Sequence, residues 1–91
     1  MKNKNVNSNT HIDRDLGASA AIHCSGGKLI NILNEGSRHS VFVFENKTSC
    51  LKIAELYWND VLQLPARKYF SSIKELKNQL YSRAISRGVS N

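Results

Sequence analysis

Five side chains are of the types from which metal sites and nucleophilic centres are built: His11, His23, Cys24, His39 and Cys50. Their spacing argues against both uses. Zinc ligands come in close pairs such as C-x-x-C or H-x-x-x-H, and here only His23 and Cys24 are neighbours. Adjacent helical residues point about 100° apart, so such a pair rarely shares an ion. The segment His23-Cys24-Ser25-Gly26-Gly27 resembles a nucleophile motif only superficially. It reads as a helix C-terminus, where the dipole raises a thiol pKa. Cys50 falls near a helix N-terminus, which favours a thiolate, but it shares the helix's apolar face and reads as core. Gly26-Gly27-Lys28 lacks the G-x-x-x-x-G-K-[ST] spacing of a phosphate-binding loop. The acids Asp13, Asp15, Glu35, Glu45, Glu55, Asp60 and Glu75 are spread along the chain without a pair that could serve as general acid and base. The expectation is a protein that is not an enzyme and holds no metal or cofactor.

The cations do gather. Arg67, Lys68, Lys74, Lys77, Arg83 and Arg87 all lie in residues 61–91 with Glu75 as the one acid there, so most of the net charge of +6 sits on that segment. Lysines and arginines displace condensed counterions from a nucleic-acid backbone. On a helical wheel Arg67, Lys74 and Lys77 follow one flank with Phe70 and Tyr81 interleaved, Lys68 lies on the back, and Arg83 and Arg87 fall on the opposite flank. The contacting set is therefore read as Arg67, Lys74, Lys77 and Tyr81, assisted by Arg83 and Arg87. The same cations equally suit a solvated helix whose dipole favours positive charge at its C-terminal end. Trp58, the one tryptophan, closes a predicted helix beside Tyr57. It reads as a core or interface anchor, or as a partner-binding hot spot.

The elements that must carry these residues follow from local signals. Residues 1–12 are polar and Asn-rich and read as a flexible tail, leaving 13–91 as one domain. Asp15 is a competent N-cap for a short helix over about 15–24, ended by Gly26-Gly27. Lys28–Asn34 and Arg38–Glu45 form a β-hairpin around Asn34-Glu35-Gly36-Ser37. In its second strand Phe42 and Phe44 face one way and Val41 and Val43 the other. Both faces are apolar, so a second layer or a second subunit should cover the side away from the helices. Asn46 to Ser49 offer several caps for a helix over about 48–58. Cys50, Leu51, Ala54, Tyr57, Trp58 and Val61 share its wheel face, and Asn59-Asp60 breaks it. Val61–Leu64 is too short to classify. After Pro65, which loses nothing at a helix start, the last helix runs over about 66–86. Its core stripe is Tyr69, Ile73, Leu76, Leu80 and Ala84, and Gly88 ends it. The order α-β-β-α-α, with a β-hairpin packed on helices, is a small α+β domain.

Bulk properties agree. The chain has 91 residues with 41% hydrophobic content, a mean hydropathy of −0.39 and a pI near 9.6. These values exclude collagen-like and wholly disordered chains. No apolar run approaches the roughly 18 residues that span a bilayer. The polar first twelve residues carry no secretory signal, which points to the cytoplasm and reduced thiols.

The segments Asp15-Leu16-Gly17-Ala18, Val41-Phe42-Val43-Phe44-Glu45, Tyr57-Trp58-Asn59, Leu64-Pro65-Ala66-Arg67 and Ile73 to Tyr81 together resemble a family of small bacterial, archaeal and phage domains, domain of unknown function 5659. The resemblance spans Asp15 to Tyr81 and rests on structural motifs, so it brings no catalytic residue. It implies a free-standing small domain, often carried on mobile elements. The chain departs from the pattern at Cys24-Ser25-Gly26-Gly27, where one glycine and an aromatic are expected.

The function these features favour is weakly sequence-specific, non-catalytic binding of DNA or RNA through the basic C-terminal helix, by a protein that pairs with itself through the apolar hairpin. The alternative is a protein-interaction module, an adaptor or phage-type inhibitor. It would dock on a larger complex through Trp58, Tyr57 and the hairpin edge.

Overall fold

The computed structural model describes residues 9–34 and 40–89, without the side chains of 34 and 83–89. Its elements run β1 (Thr10–Asp13), α1 (Leu16–Cys24), β2 (Leu29–Asn34), β3 (Ser40–Glu45), α2 (Lys47–Trp58) and α3 (Ala66–Val89). The architecture is α+β, as the sequence predicts, with one strand more than the predicted order. Thr10–Asp13 falls at the end of the expected tail, yet it pairs antiparallel with β3, Thr10 opposite Glu45 and Asp13 opposite Phe42. The sheet order is β1-β3-β2. Residues 1–8 and 35–39 lie outside the described residues, and with them most of the turn expected at Asn34-Glu35-Gly36-Ser37.

β3 is central because its sequence suits burial on both faces. Val41, Phe42, Val43 and Phe44 are all buried. Phe42 and Phe44 join Ile32 of β2 in a core with Ala20, Ile22, Cys50, Ala54 and Leu76 from the helices. On the other face Val43 stands opposite Ile12 and Val41 opposite Leu33, and Ile12 is 49% exposed. The shortest dimension of the molecule, 18 Å, holds two layers. The second layer expected over Val41 and Val43 is not among the described elements.

α1 is the central helix. Ala18, Ser19, Ala20, Ala21, Ile22 and Cys24 are buried, so it is apolar nearly all round, the pattern of a helix enclosed by neighbours. Its small side chains let α2 and α3 both pack against it. It starts where Asp15 caps it, Oδ2 accepting from the Ala18 N–H at 2.8 Å. It ends in a Schellman turn: the Gly27 N–H donates to the Ile22 carbonyl and the Gly26 N–H to the His23 carbonyl. Gly26 alone of the Gly-Gly pair takes a positive φ, 102°.

α2 starts at Asn46, which adopts the left-handed conformation and accepts from the Ser49 N–H. Its inward residues are Cys50 and Ala54, with Ile53 packed beside them. The predicted face was centred too far to one side. Leu51, Trp58 and Val61 are exposed, because Leu51 and Trp58 sit about a quarter-turn from the Cys50–Ala54–Tyr57 line and Val61 lies past the helix end. α3 puts Leu76 fully inside and packs Tyr69, Ile73 and Leu80 against the core. The helix runs on through Gly88 to Val89. One interior glycine costs about 1 kcal/mol relative to alanine and does not by itself stop a helix. The Ala84 side chain lies outside the described residues.

Candidate functional site

Two aromatic-bearing surfaces meet at the start of α3. The first is a ridge. α3 begins after Pro65, whose carbonyl accepts the first helical bond, from the Tyr69 N–H at 3.0 Å. From there Arg67, Phe70, Lys74, Lys77 and Tyr81 recur at alternating spacings of three and four, so they stack along one line of the helix. All five are exposed, Phe70 at 59% and Tyr81 at 61%. At 1.5 Å per residue the ridge is about 21 Å long. The Lys74 ammonium lies 5.2 Å from the centre of the Phe70 ring, a cation–π distance that keeps a charge and a ring face together. The nearest acid in sequence, Glu75, is on the other flank and accepts from Gln79 Nε2 at 3.2 Å. The structure thus brings Arg67, Lys74, Lys77 and Tyr81 onto one face. The side chains of Arg83 and Arg87 lie outside the described residues.

The second surface is a cleft of about 450 Å³ between the end of α2 and the start of α3, lined by Tyr57, Trp58, Asp60, Leu62, Leu64, Ala66 and Tyr69. Tyr57 and Trp58 part company here. Trp58 is 62% exposed, while Tyr57 is half-buried. Their rings still meet edge to face, with centres 5.0 Å apart and planes at 81°. Both tyrosine hydroxyls lie close to Gly17. Tyr69 Oη donates to the Gly17 carbonyl at 3.1 Å, and a Cβ on Gly17 would overlap the Tyr57 hydroxyl. Burial pushes the Tyr69 phenol up to about 12, with the neighbouring Tyr57 hydroxyl and the Asp15 charge adding to it. Asp60 is fixed by the turn that ends α2. Its own N–H donates to the Tyr57 carbonyl, and the Val61 N–H donates to the Leu56 carbonyl. This is a second Schellman turn, with Asp60 at φ 63° where glycine is the usual residue.

Sequence reasoning found Tyr57 and Trp58 but missed Asp60, Tyr69 and Gly17. Asn59-Asp60 was legible as a helix break. That the break also puts Asp60 in the lining of a cleft with three aromatic residues depends on where α3 returns. Gly17 carries no local signal, since its meaning is the tyrosine hydroxyl that occupies its missing side chain's place.

The remaining chemistry-bearing residues lie elsewhere in the fold. Cys50 Sγ donates to the Glu45 carbonyl at 3.3 Å. Burial, then the Asp13 charge, pushes its thiol up, opposite to what a helix N-terminus favours. Both cysteines are free and buried. His23 Nδ1 and Ser72 Oγ are 2.9 Å apart, joining α1 to α3; Ser72 is buried, and both residues line an open cleft of about 440 Å³ with Cys24, Lys68, Ser71 and Glu75. His11 Nε2 contacts Asp13 Oδ2 at 3.0 Å within β1. Among the described residues no three His, Cys, Asp or Glu side chains gather in a way that could hold a metal ion. No described helix is long and apolar enough to cross a membrane.

The sequence pattern of the family described as Domain of unknown function (DUF5659) matches residues 15–82. No curated protein and no solved structure matches the chain. The match covers α1 through most of α3, and so both surfaces described above, and the chain belongs to that family.

Proposed function

We propose that this member of the family is a small, non-catalytic nucleic-acid-binding protein whose contact surface is the ridge of α3. The observation that carries the reading is the ridge itself: three cations and two exposed aromatics on one line, with no acid among them. Arg67, Lys74 and Lys77 hold phosphates, while Phe70 and Tyr81 offer ring faces on which bases of a single strand can stack. Read as phosphate and stacking contacts, these side chains carry little sequence information, so binding is weakly sequence-specific. Arg83 and Arg87, whose side chains lie outside the described residues, keep the assisting role expected from the sequence. The protein acts in the cytoplasm as a homodimer joined through the apolar hairpin, a role supported by the half-exposed Ile12 and Leu33, which flank the buried Val43 and Val41 on the sheet.

The test is binding to duplex DNA and to single-stranded DNA and RNA across a salt series. The three ridge cations alone predict a slope of log K against log salt near −3 on a duplex, at about 0.9 per phosphate neutralised. Absence of binding to every one of these at low salt ends the proposal. Sedimentation across protein concentration tests the dimer.

One observation favours a second reading, a protein-interaction module: the indole of Trp58 is largely exposed beside a cleft, as a docking anchor is. In that case a partner complex survives nuclease treatment and is lost in Trp58→Ala.

A further inference from the structure

We propose that the cleft between α2 and α3 is a binding site for an alkylammonium cation, separate from the ridge and independent of nucleic-acid binding. Its walls have the composition that such cations select. Tyr57, Trp58 and Tyr69 bring three electron-rich rings to one space, and aromatic faces attract ammonium groups through their quadrupoles. The edge-to-face meeting of Tyr57 and Trp58 makes a corner rather than a flat stack, so two rings border the same volume from different sides. Leu62 and Leu64 supply apolar contact for the alkyl part of the ligand. Asp60 is the one charged residue of the lining, and it is negative in a protein whose net charge is +6.

The site is also built in advance. The Tyr69 hydroxyl is hydrogen-bonded to Gly17 and the Tyr57 hydroxyl lies against the same residue, so the Tyr69 ring is held in place before a ligand arrives. Asp60 stands in a hydrogen-bonded turn with a left-handed backbone, which fixes its Cα relative to the rings. A volume of about 450 Å³ lies within the range of small-ligand sites, roughly 300–1,000 Å³. The carboxylate also selects against the alternative occupant. A nucleobase entering the cleft would bring its phosphodiester toward Asp60, whereas an ammonium gains from both the carboxylate and the rings.

The ammonium can be the head of a free quaternary amine or the side-chain terminus of a lysine on another protein, and the experiment separates the two. The full chain is titrated with choline and with its neutral carbon isostere 3,3-dimethylbutan-1-ol. Trp58 fluorescence and amide shifts over residues 57–69 are followed. Choline is expected to shift the cleft resonances, with the isostere about tenfold weaker. Asp60→Asn, which keeps a residue tolerant of the left-handed backbone, and Trp58→Leu, at an exposed position, are each expected to weaken choline several-fold while the rest of the amide spectrum stays in place. Equal binding of choline and the isostere overturns the proposal, because the cleft is then a simple apolar slot. So does the absence of any shift at 50-fold excess over a roughly millimolar constant, or choline binding untouched by both variants. A parallel titration with Nα-acetyl-lysine methylamide and its Nζ-trimethyl form identifies the source. Tighter binding of either lysine form than of choline supports a lysine terminus presented by a partner, and tighter binding of choline than of both supports a free quaternary amine. The same variants leave the salt-dependent binding of DNA unchanged, so failure here and failure of the ridge proposal are told apart.

Discussion

Tyr69 and Phe70 are consecutive in sequence and belong to opposite surfaces. Tyr69 turns into the cleft, its hydroxyl tied to Gly17 and its phenol pushed up by burial. Phe70 turns onto the ridge, largely exposed and backed by Lys74. The company of each ring decides what it can attract. Beside cations a ring face serves a polyanion whose phosphates are held nearby. Beside a carboxylate and other rings the same face serves a cation. A single residue step, about 100° of rotation, thus separates two surfaces to which we assign opposite preferences, and a substitution on either side should leave the other intact.

The largest expected effect breaks the comparison on the ridge side. The double reversal Lys74→Glu, Lys77→Glu should lower the salt slope of nucleic-acid binding by about two and abolish binding at moderate salt. Choline titration and unfolding midpoint should hold to within about 0.5 kcal/mol, because both lysines are exposed. Loss of fold in this variant would show instead that the ridge is structural. A smaller effect breaks the comparison on the cleft side. Gly17→Ala sets a methyl group against the Tyr57 hydroxyl and should cost about 1–3 kcal/mol in urea unfolding, as overpacking does. It should displace the cleft resonances while the salt slope on DNA stays as it was. The smallest effect sharpens the comparison by pH. Tyr69 has a pKa raised from 10.0 to about 12 in the fold, so the folded state holds its proton where the unfolded state has lost it. Its contribution is whole below pH 10 and fades as the pH rises toward 12. Cys50, raised from 9.0, acts with the same sign from a lower pH. The readout is therefore the difference between the wild type and Tyr69→Phe, which should flatten the alkaline part of the stability curve. Identical curves would remove Tyr69 from the buried side of the cleft.

What was legible in the sequence follows from how local each signal is. Asp15 and Gly26 announce the two ends of α1 because caps act within one turn. Ser40–Glu45 announces a strand through its own residue types. The ridge was legible too, since helical spacing is enough to line up Arg67, Lys74 and Lys77. β1 was not, because Thr-His-Ile-Asp becomes a strand only by pairing with β3, which is a tertiary fact. The orientation of α2 was misread through Val61, which the Asp60 turn carries off the helix. Asp60 itself looked like punctuation alone, and its place in a cleft depends on the return of α3 past it.

The pairing of β1 with β3 also sets an order of events. β2 and β3 are neighbours along the chain, whereas Thr10 meets Glu45 from about 35 residues away, across an intervening helix and strand. Closing that longer loop costs more entropy, so the hairpin can form while β3 still has one open edge. During that interval the backbone of Val41–Phe44, four consecutive apolar residues, is a template for any extended chain that arrives first. Occupation of that edge by β1 is thus a race between intramolecular docking and encounter with another copy. The yield of refolded protein should fall with concentration more steeply when residues 9–13 are deleted than when the same number is removed from the C-terminus.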